Sequence, residues 1–544
     1  MSTTEETKPA AGQLLSHRQI QIVFGALSLG MLLAALDQTI VSTALPTIVG
    51  ELGGLNHLSW VVTAYLLTST AATPLFGKIS DLYGRKRLFQ FAIVAFLGAS
   101  ALAGLSQNMG QLIAFRALQG IGGGGLIAMA QVIIGDVVSP RERGRYMGYI
   151  GAVFAVASVA GPLAGGFFVD HLTWRWVFYI NIPFGLIALF VTNAVLNLPF
   201  RRVQRPIDYL GASLLVAGLT CAVLVTTWGG TEYEWGSPVI FGLALAGAAL
   251  IVGFIMQERR AEEPIMPLRL FRNSTFRVAS GAGFIVGLTM FGAIVFLPVF
   301  LQIVTGVSAT NSGLLLLPLI LGLLISSIGS GRVITAVGRY KIFPIVGTAI
   351  MGIGMYLLSM MDSHTSRAVA SSYMFVLGLG IGLVLQVLVL AVQNSVEHRD
   401  LGIATSSATL FRSLGGAFGA SIFGAILSNR LAFNLPRLVP GFSSGGFDVD
   451  TLKGSPAQIR ALPPAVRDGV VEAFARSIHV VFLWTVPLIV VAWVITLFLR
   501  EIALRDSAHV GGHAVGEDLG LALEPAIDPD HVPDLLDRGE HQLG

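Results

Sequence analysis

Asp37 is the residue of this sequence whose chemistry is hardest to explain by packing alone. It lies in an apolar run that begins near Gln19, and no other charged residue occurs between the two. A charge at bilayer depth costs about 3 kcal/mol or more on insertion scales, so an acid placed there is expected to face a partner, a cavity or a proton. Asp37 is therefore a candidate for binding and releasing a proton.

Arg116 is the base that best matches Asp37 in depth. Asp37 lies eight residues before Leu45, at the end of the first apolar run, and Arg116 lies seven residues after Met109, near the start of the fourth. At about 1.5 Å per helical residue, both are expected about 10–12 Å below one membrane surface. Three alternatives are open: Asp37 releases its proton when its contact with Arg116 or with a bound compound changes, the two residues form a permanent ion pair, or they make no contact. We favour the first interpretation, because static pairs are often poor stabilisers in apolar surroundings.

Four further polar residues lie inside predicted spans. Arg412 is about eleven residues into the thirteenth span, beside a glycine-rich segment. Its guanidinium either faces a central cavity, where it would shape the choice of compound, or anchors a helix whose glycines permit close approach. Gln119, Gln302 and Gln386 are candidates for polar groups of the same cavity.

Long apolar runs are the elements that must position these side chains. The chain has 544 residues, of which 54% are hydrophobic and 12% charged, whereas soluble domains average about 25% charged residues. Runs of about 20 apolar residues predict membrane-spanning helices, because the bilayer offers backbone groups no other partners. We predict an all-α polytopic membrane protein. Its fourteen predicted spans are 19–45, 58–77, 88–106, 110–135, 146–168, 176–198, 208–228, 238–256, 277–302, 311–330, 342–361, 371–393, 402–427 and 477–499.

The positions of Lys and Arg predict the orientation of these spans. Basic residues cluster in every second loop, which places those loops and both termini in the cytoplasm. The predicted flanking segments are a cytoplasmic tail (1–17), a long outer loop (428–476) and an acidic tail (506–544) that we expect to be disordered. The predicted location is the inner, cytoplasmic membrane of a cell.

Several functional classes are disfavoured by what the sequence lacks. The single cysteine, Cys221, lies in an apolar run, so no intramolecular disulfide and no cysteine-based metal site is predicted. The phosphate-binding pattern G-x-x-x-x-G-K-[ST] is absent, which argues against an ATP-driven pump within this chain. We predict no metal, no cofactor, no nucleic-acid partner and no enzymatic activity.

A repeated loop divides the chain into two halves. The loops 77–87 and 331–341 both have glycine at their first and eighth positions, arginine at the ninth and a base at the eleventh. Removing spans 7 and 8 as an insertion leaves six spans plus six, and two like-oriented six-helix halves are the architecture of one large transporter fold. The predicted domains are an N-terminal half (18–200), two inserted helices (201–263) and a C-terminal half (264–505).

These loops resemble the signature loop of the major facilitator superfamily. Leu36–Pro46 resembles the helix-1 motif of its fourteen-helix drug:proton antiporters, the QacA/EmrB type. The segments 114–124, 161–166 and 174–185 resemble, in that order, the helix-4 motif, the helix-5 antiporter motif and the start of helix 6. The resemblance covers about residues 18–500 and implies the superfamily fold, with Asp37 and Arg116 coupling transport to protons.

The sequence departs from the family pattern at two places. Ser42 and Thr43 stand where the family usually has Asn-Val, and Thr335 stands in the second loop where the first has Asp81. These departures concern the helix of Asp37 and the symmetry of the two loops.

The resemblance also implies a gate formed by Asp81, Arg85 and Asp136. Their charges would latch an outward-open state by tying helix 2 to helices 3 and 4. Gly77 and Gly84 would permit tight turns and close packing around the relay. The alternative is ordinary solvated charge at the membrane surface.

The antiporter motif consists of Gly161, Pro162, Gly165 and Gly166. Proline removes one backbone hydrogen bond and kinks a helix, and the glycines permit close packing. The motif either takes part in switching between conformations or is a simple bend.

The residues and the resemblance together predict a monomeric, proton-driven multidrug exporter. It would move small lipophilic or cationic compounds across the bilayer by alternating access, with antibiotic resistance as a consequence. A dedicated exporter of a native metabolite, siderophore or lipid has the same fold, and the sequence barely separates the two. A proton symport importer is disfavoured by the antiporter motif, and a non-transporting scaffold or sensor by the intramembrane charges.

Overall fold

Helices make up nearly all of the regular structure. A computed structural model describes residues 17–52, 58–196, 208–230, 232–307, 309–439, 459 and 462–504, and the predicted tails 1–17 and 506–544 lie almost wholly outside these residues. The described part of the chain forms fourteen long helices, which confirms the predicted all-α fold class. They are α1 (His17–Leu52), α2 (Leu58–Tyr83), α3 (Arg85–Gly104), α4 (Met109–Val137), α5 (Pro140–His171), α6 (Trp176–Tyr179 and Asn181–Val195), α7 (Tyr209–Trp228), α8 (Pro238–Glu258), α9 (Ser274–Ile303), α10 (Ala309–Leu315 and Leu317–Val337), α11 (Ile342–Ser359), α12 (Arg367–Ser395), α13 (Leu401–Leu438) and α14 (Pro464–Leu497).

Thirteen of these helices are long and apolar enough to cross a membrane. The exception is α2, which the sequence also predicts as a span. Its buried residues include Thr63, Thr70 and Thr73, and these hydroxyl-bearing residues lower its mean hydropathy. Because α2 packs between other helices of the bundle, polar residues are tolerated where they hydrogen-bond internally, as Thr73 does to the carbonyl of Ser69.

Two six-helix halves and an inserted helical pair form the bundle. The buried apolar residues of α1 to α6 cluster separately from a larger cluster drawn mainly from α9 to α14. The inserted α7 and α8 pack at the side of the bundle, where Leu215 and Phe254 join Leu410 of α13 in one apolar cluster. Lys78 of α2 pairs with Glu263 after α8 at 3.0 Å, which ties the insertion to the N-terminal half.

The last two helices extend well beyond their predicted spans. α13 continues to Leu438 and α14 begins at Pro464, so much of the predicted outer loop 428–476 is helical. An apolar run marks the part of a helix that lies in lipid, whereas a helix continues past the membrane wherever the backbone allows it. The segment connecting the two helices is therefore shorter than predicted, and 440–458 lies outside the described residues.

The repeated loops have the same construction in both halves. Gly84 and Gly338, at the eighth position, both have positive φ, of 97° and 76°. This is backbone that glycine adopts without the strain imposed by a side chain. Gly77 and Gly331, at the first position, both lie against a helix of the opposite half, where an added Cβ would overlap Ser406 of α13 or the carbonyl oxygen of Gly144 in α5. We call the end of the bundle that carries these loops the basic end.

Candidate functional site

Asp37 is completely buried and is surrounded by hydrogen-bond donors. Its Oδ2 accepts from Nη1 of Arg116, and its Oδ1 accepts from Gln119 Nε2 at 2.8 Å and from Asn181 Nδ2 at 3.1 Å. These donors come from α4 and α6, so the structure brings together the predicted pair on α1 and α4 and adds a third helix. Three donors around one carboxylate stabilise its charged form.

Arg116 has partners on every side. Its Nη1 also donates to Gln119 Oε1 at 2.6 Å, and its Nε donates to the Val61 carbonyl at 3.3 Å. The Tyr65 ring lies under the guanidinium, 4.3 Å from its carbon to the ring centroid, which allows a cation–π interaction. The side chain of Arg116 is 2% exposed. A buried charge is tolerated only with such compensation, which the Asp37 carboxylate, two oxygen acceptors and the Tyr65 ring supply here.

Glycines of α4 place Arg116 and Gln119 at this depth. A Cβ on Gly120 would overlap Thr68 and the Tyr65 carbonyl of α2, and one on Gly122 would lie 2.7 Å from the Phe96 backbone nitrogen of α3. The glycine-rich run predicted as a helix-4 motif thus lets three helices approach closely. That approach puts the Tyr65 ring against Arg116.

Ser100 and Asn181 belong to the site although sequence reasoning gave them no role. Ser100 Oγ on α3 receives hydrogen bonds from both Gln119 Nε2 and Asn181 Nδ2, so it orients the two amides toward Asp37. Both residues are 0% exposed. Asn181 lies in the segment that resembles the start of helix 6, and a polar residue in that apolar run was the available signal.

The start of α6 is attached to the far end of α1. Trp174 Nε1 donates to Glu51 Oε2 at 2.8 Å, and Arg175 Nη1 donates to Glu51 Oε1 at 2.5 Å. The hydrogen bonds from Arg175 and Trp174 hold the pKa of Glu51 below its ordinary value. This attachment fixes the position of Asn181, which begins the main part of α6 after a break at Ile180.

The antiporter motif packs directly onto the helix that carries Asp37. A Cβ on Gly161 would overlap Thr39, and one on Gly165 would lie 2.9 Å from the Ile40 carbonyl oxygen. Thr39 Oγ1 also donates to the Ala157 carbonyl of α5 at 3.0 Å. Gly166 faces open space. The motif is therefore a contact surface between α5 and α1, two residues from Asp37.

The Ser42-Thr43 departure is accommodated at this same surface. Ser42 and Thr43 both donate hydrogen bonds to the Thr39 carbonyl oxygen, at 2.7 Å and 3.2 Å. The Thr43 Cβ lies 3.2 Å from where a Cβ on Gly165 would stand. Both hydroxyl groups form their hydrogen bonds within α1, so the departure leaves the packing of α5 on α1 intact.

Replacing Gly161 with alanine is expected to reduce transport strongly, whereas replacing Gly166 is not. The methyl group that alanine adds at position 161 would displace α1 at Thr39, and overpacking of this kind costs about 1–3 kcal/mol. The matched Gly166→Ala change adds the same methyl group where nothing lies within 4 Å. Uptake or efflux in proteoliposomes, at equal protein amounts, measures the difference. Equal activity of the two variants would show that the close contact has no function.

The structure also brings together Asp81, Arg85 and Asp136. Arg85 Nη1 contacts Asp81 Oδ1, and Arg85 Nε donates to Asp136 Oδ2 at 2.6 Å. Their side chains are 11–12% exposed, so they are not ordinary solvated surface charges. A Cβ on Gly402 of α13 would lie 2.5 Å from Asp81 Oδ1. The relay thus links α2, α3 and α4 and also borders the opposite half.

The second loop replaces this relay with backbone contacts. Thr335 Oγ1 accepts from the Arg145 backbone nitrogen at 3.1 Å, and Arg141 Nε donates to the Thr335 carbonyl at 3.2 Å. The loop of each half therefore contacts a helix of the other half, α13 in one case and α5 in the other. The Thr335 departure changes the chemistry of the contact and keeps its position.

The other predicted cavity residues lie apart from the Asp37 cluster. Gln302 donates to Ser312 Oγ at 3.0 Å, which joins α9 to α10. Gln386 of α12 is 3% exposed, and its Oε1 has no hydrogen-bond partner among the described residues. Gln119, in contrast, is part of the Asp37 cluster itself.

Arg412 combines features of both interpretations given above. A Cβ on Gly287 of α9 would overlap its carbonyl oxygen and lie 3.3 Å from its Cγ, so its backbone sits in a close α9–α13 crossing. Arg412 as a whole is partly buried, and its guanidinium makes no hydrogen bond or ion pair with the described residues. The packing accounts for the glycines beside Arg412, whereas no group among the described residues compensates its charge.

Comparison with known proteins gives concordant results. The family model described as Major Facilitator Superfamily matches residues 27–420. An uncharacterized MFS-type transporter of Mycobacterium tuberculosis is 45% identical over 530 residues, covering 97% of this chain and 76% of the relative. The multidrug transporter protein MdtP of Bacillus subtilis is 40% identical over 511 residues, covering 89% and 94%. The human organic anion transporter MFSD10 has a similar fold, with a TM-score of 0.59 at 14% identity over 86% of this chain and 99% of that one.

Proposed function

The chain belongs to the major facilitator superfamily, and from this premise we propose that it exports small lipophilic or cationic compounds in exchange for protons. Its relatives are membrane transporters, which makes this chain a multi-pass transporter rather than an enzyme. The relative MdtP is named a multidrug transporter, and that name supports small compounds as cargo.

The burial and the hydrogen bonds of Asp37 support the proposal that transport is coupled to protons. Among the described residues of α1 to α13, Asp37 is the acid farthest from any helix end, and its carboxylate is 0% exposed and held by three donors. A group in that position changes charge when its donors move, because loss of donors disfavours the carboxylate. Arg116 is the donor best placed to modulate Asp37, since its charge contributes most to the stability of the anion.

The contacts between the halves support alternating access as part of this proposal. At the basic end, Gly77 meets α13 and Gly331 meets α5, so the halves are closed together there. We assign this end to the cytoplasm on the basis of its Lys and Arg residues. The Asp81–Arg85–Asp136 relay would stabilise this closed arrangement of the basic end and break when that end opens.

The antiporter motif lies between the C-terminal half and the helix that carries Asp37. Gly161 and Gly165 contact α1, whereas Pro162 faces the other half, with its Cβ 3.8 Å from where a Cβ on Gly313 of α10 would stand. Movement of α10 against α5 would therefore change the packing of α1 beside Asp37. We propose that this is how opening of one end alters the proton affinity of the site.

Proton release from everted vesicles tests this function. Vesicles containing the protein are energised, and cations, anions and neutral lipophiles are added one at a time while internal acidity is followed. In everted vesicles, export from the cell becomes uptake into the vesicle. A compound that the protein exports is therefore expected to enter the vesicle and to release protons from its interior in proportion to the amount taken up. Vesicles without the protein are the control. Cargo uptake that proceeds with no proton movement would overturn the proposal.

A further inference from the structure

Every hydrogen bond between the Asp37 carboxylate and the described residues comes from a donor, so the protonated form of the group has no acceptor there. Arg116, Gln119 and Asn181 all point N–H groups at its two oxygens. A protonated carboxyl group has an O–H that needs an acceptor. At a fully buried position, an unsatisfied hydroxyl strongly disfavours the protonated state. One of the surrounding groups must therefore change to accept this proton.

The structure indicates which group is free to change. Gln119 Oε1 already accepts from Arg116 Nη1 at 2.6 Å, and Ser100 Oγ already accepts from both amides. Asn181 Oδ1 is buried and has no hydrogen-bond partner within the described part of the chain. Rotation of the Asn181 amide by half a turn would place this oxygen where its nitrogen now faces Asp37, 3.1 Å away.

We propose that Asn181 is a positioning residue whose amide reverses when Asp37 takes up its proton. As a donor it stabilises the carboxylate, and as an acceptor it stabilises the acid. The inference rests on the proposed function, because it requires Asp37 to be the proton site. The charged and titratable groups facing the cluster are Arg116 of α4, which has only donors, and Tyr65 of α2, whose hydroxyl is directed at the Ala34 carbonyl oxygen.

The position of Asn181 gives the reversal a structural consequence. It is the first residue of the main part of α6, directly after the break at Ile180. Reversal turns its hydrogen bond with Ser100 of α3 around, so that the Ser100 hydroxyl donates to the Asn181 oxygen, and it replaces the hydrogen bond donated to Asp37 of α1 by one accepted from it. The protonation state of Asp37 would therefore determine how α6 is attached to its two neighbours.

Infrared difference spectroscopy of the purified transporter, acid minus neutral, tests the reversal. The band of the protonated carboxyl group is assigned by its absence in Asp37→Asn. In Asn181→Leu, which has a similar size and no polar atom, this band is expected at a higher frequency because the acceptor of its O–H is gone. The asparagine amide band that accompanies protonation is expected to disappear, and proton-coupled transport to fall about tenfold.

Asn193→Leu is the matched control, since Asn193 lies on the same helix, is exposed and contacts residues outside the cluster. It is expected to leave the carboxyl band and transport unchanged. Asn181→Asp offers both a donor and an acceptor when protonated and checks that the site still folds. If the Asp37 band is the same in Asn181→Leu as in the native protein, the inference is wrong while the proposed function stands. Absence of any Asp37 band in the native protein would instead contradict proton binding itself.

Discussion

Asp37→Asn is expected to abolish proton-driven export while leaving the transporter able to bind its cargo. Asparagine has nearly the size of aspartate and still accepts from Gln119 or Asn181, but it cannot take up a proton at physiological pH. Export against a gradient should fall to the level of membranes without the protein. Movement of cargo down its own gradient is expected to remain, because that movement needs no proton. Counterflow and proton-release assays in the same proteoliposomes distinguish the two.

The charge left on Arg116 complicates this variant and also makes it informative. Removing one member of a buried ion pair costs about 3–5 kcal/mol, because the other charge remains uncompensated. The double variant Asp37→Asn/Arg116→Gln removes both charges and should melt at a higher temperature than Asp37→Asn alone. Both variants should be equally unable to drive export with protons. Loss of coupling in the single variant with recovery in the double would mean that misfolding, not the proton, explains the result.

Normal uphill export by Asp37→Asn would refute proton coupling at this site. Asp37→Glu provides a further comparison, since it keeps the carboxyl group and adds one methylene to a site that is 0% exposed. We expect partial activity with an altered pH profile.

The Asp37–Arg116 pair could be predicted because helical rise converts sequence position into depth. Charge is rare in lipid-facing helices, so two opposite charges at one depth in one half have few other partners. The partners of the pair could not be predicted in this way. Ser100 and Asn181 are ordinary polar residues in the sequence, and only the packing of α3 and α6 brings them within hydrogen-bond distance of the cluster.

The repeat illustrates a second limit of sequence reasoning. The recurring glycines predict a duplicated half, and Gly77 and Gly84 together are expected to permit tight turns and close packing. The turns are made by Gly84 and its counterpart Gly338, which have positive φ. Gly77 and Gly331 are helical and contact the opposite half. A sequence shows that a glycine is required but not whether the requirement comes from its own backbone or from a neighbouring one.

Gly331→Ala is expected to shift the transporter toward a conformation in which the basic end is open. The added methyl carbon would overlap the Gly144 carbonyl oxygen of α5 and lie 3.3 Å from the Arg145 Cα. Backbone atoms cannot move aside as a flexible side chain can, so the two helices must separate. The stability of the α10 helix itself should not fall, because alanine is a better helix former than glycine by about 1 kcal/mol.

The size of this shift follows from the fact that the clash exists in only one conformation. Overpacking costs about 1–3 kcal/mol, and here only the conformation with a closed basic end is destabilised. The ratio of the open to the closed conformation therefore changes by about 5–150-fold. Spin labels at the exposed Arg87 and Arg339, in a background where the single cysteine Cys221 is replaced by serine, report the separation of the halves. Their distance distribution is expected to move to longer values.

Gly329→Ala separates this effect from any general effect of alanine in α10. It lies two residues away on the same helix and has nothing within 4 Å of its added Cβ, so the label distances should stay as in the native protein. Gly77→Ala tests the symmetry, since it would overlap Ser406 at the equivalent contact in the other half. It should open the same end, though less, because the Ser406 side chain can turn away and the fixed backbone atom, the Gly402 carbonyl oxygen, lies 2.8 Å from the added carbon, compared with 2.4 Å for the Gly144 carbonyl oxygen at Gly331. If Gly331→Ala and Gly329→Ala gave the same distances, the contact between α5 and α10 would not hold the basic end closed, and the alternating-access proposal would have to rest on the α2–α13 contact alone.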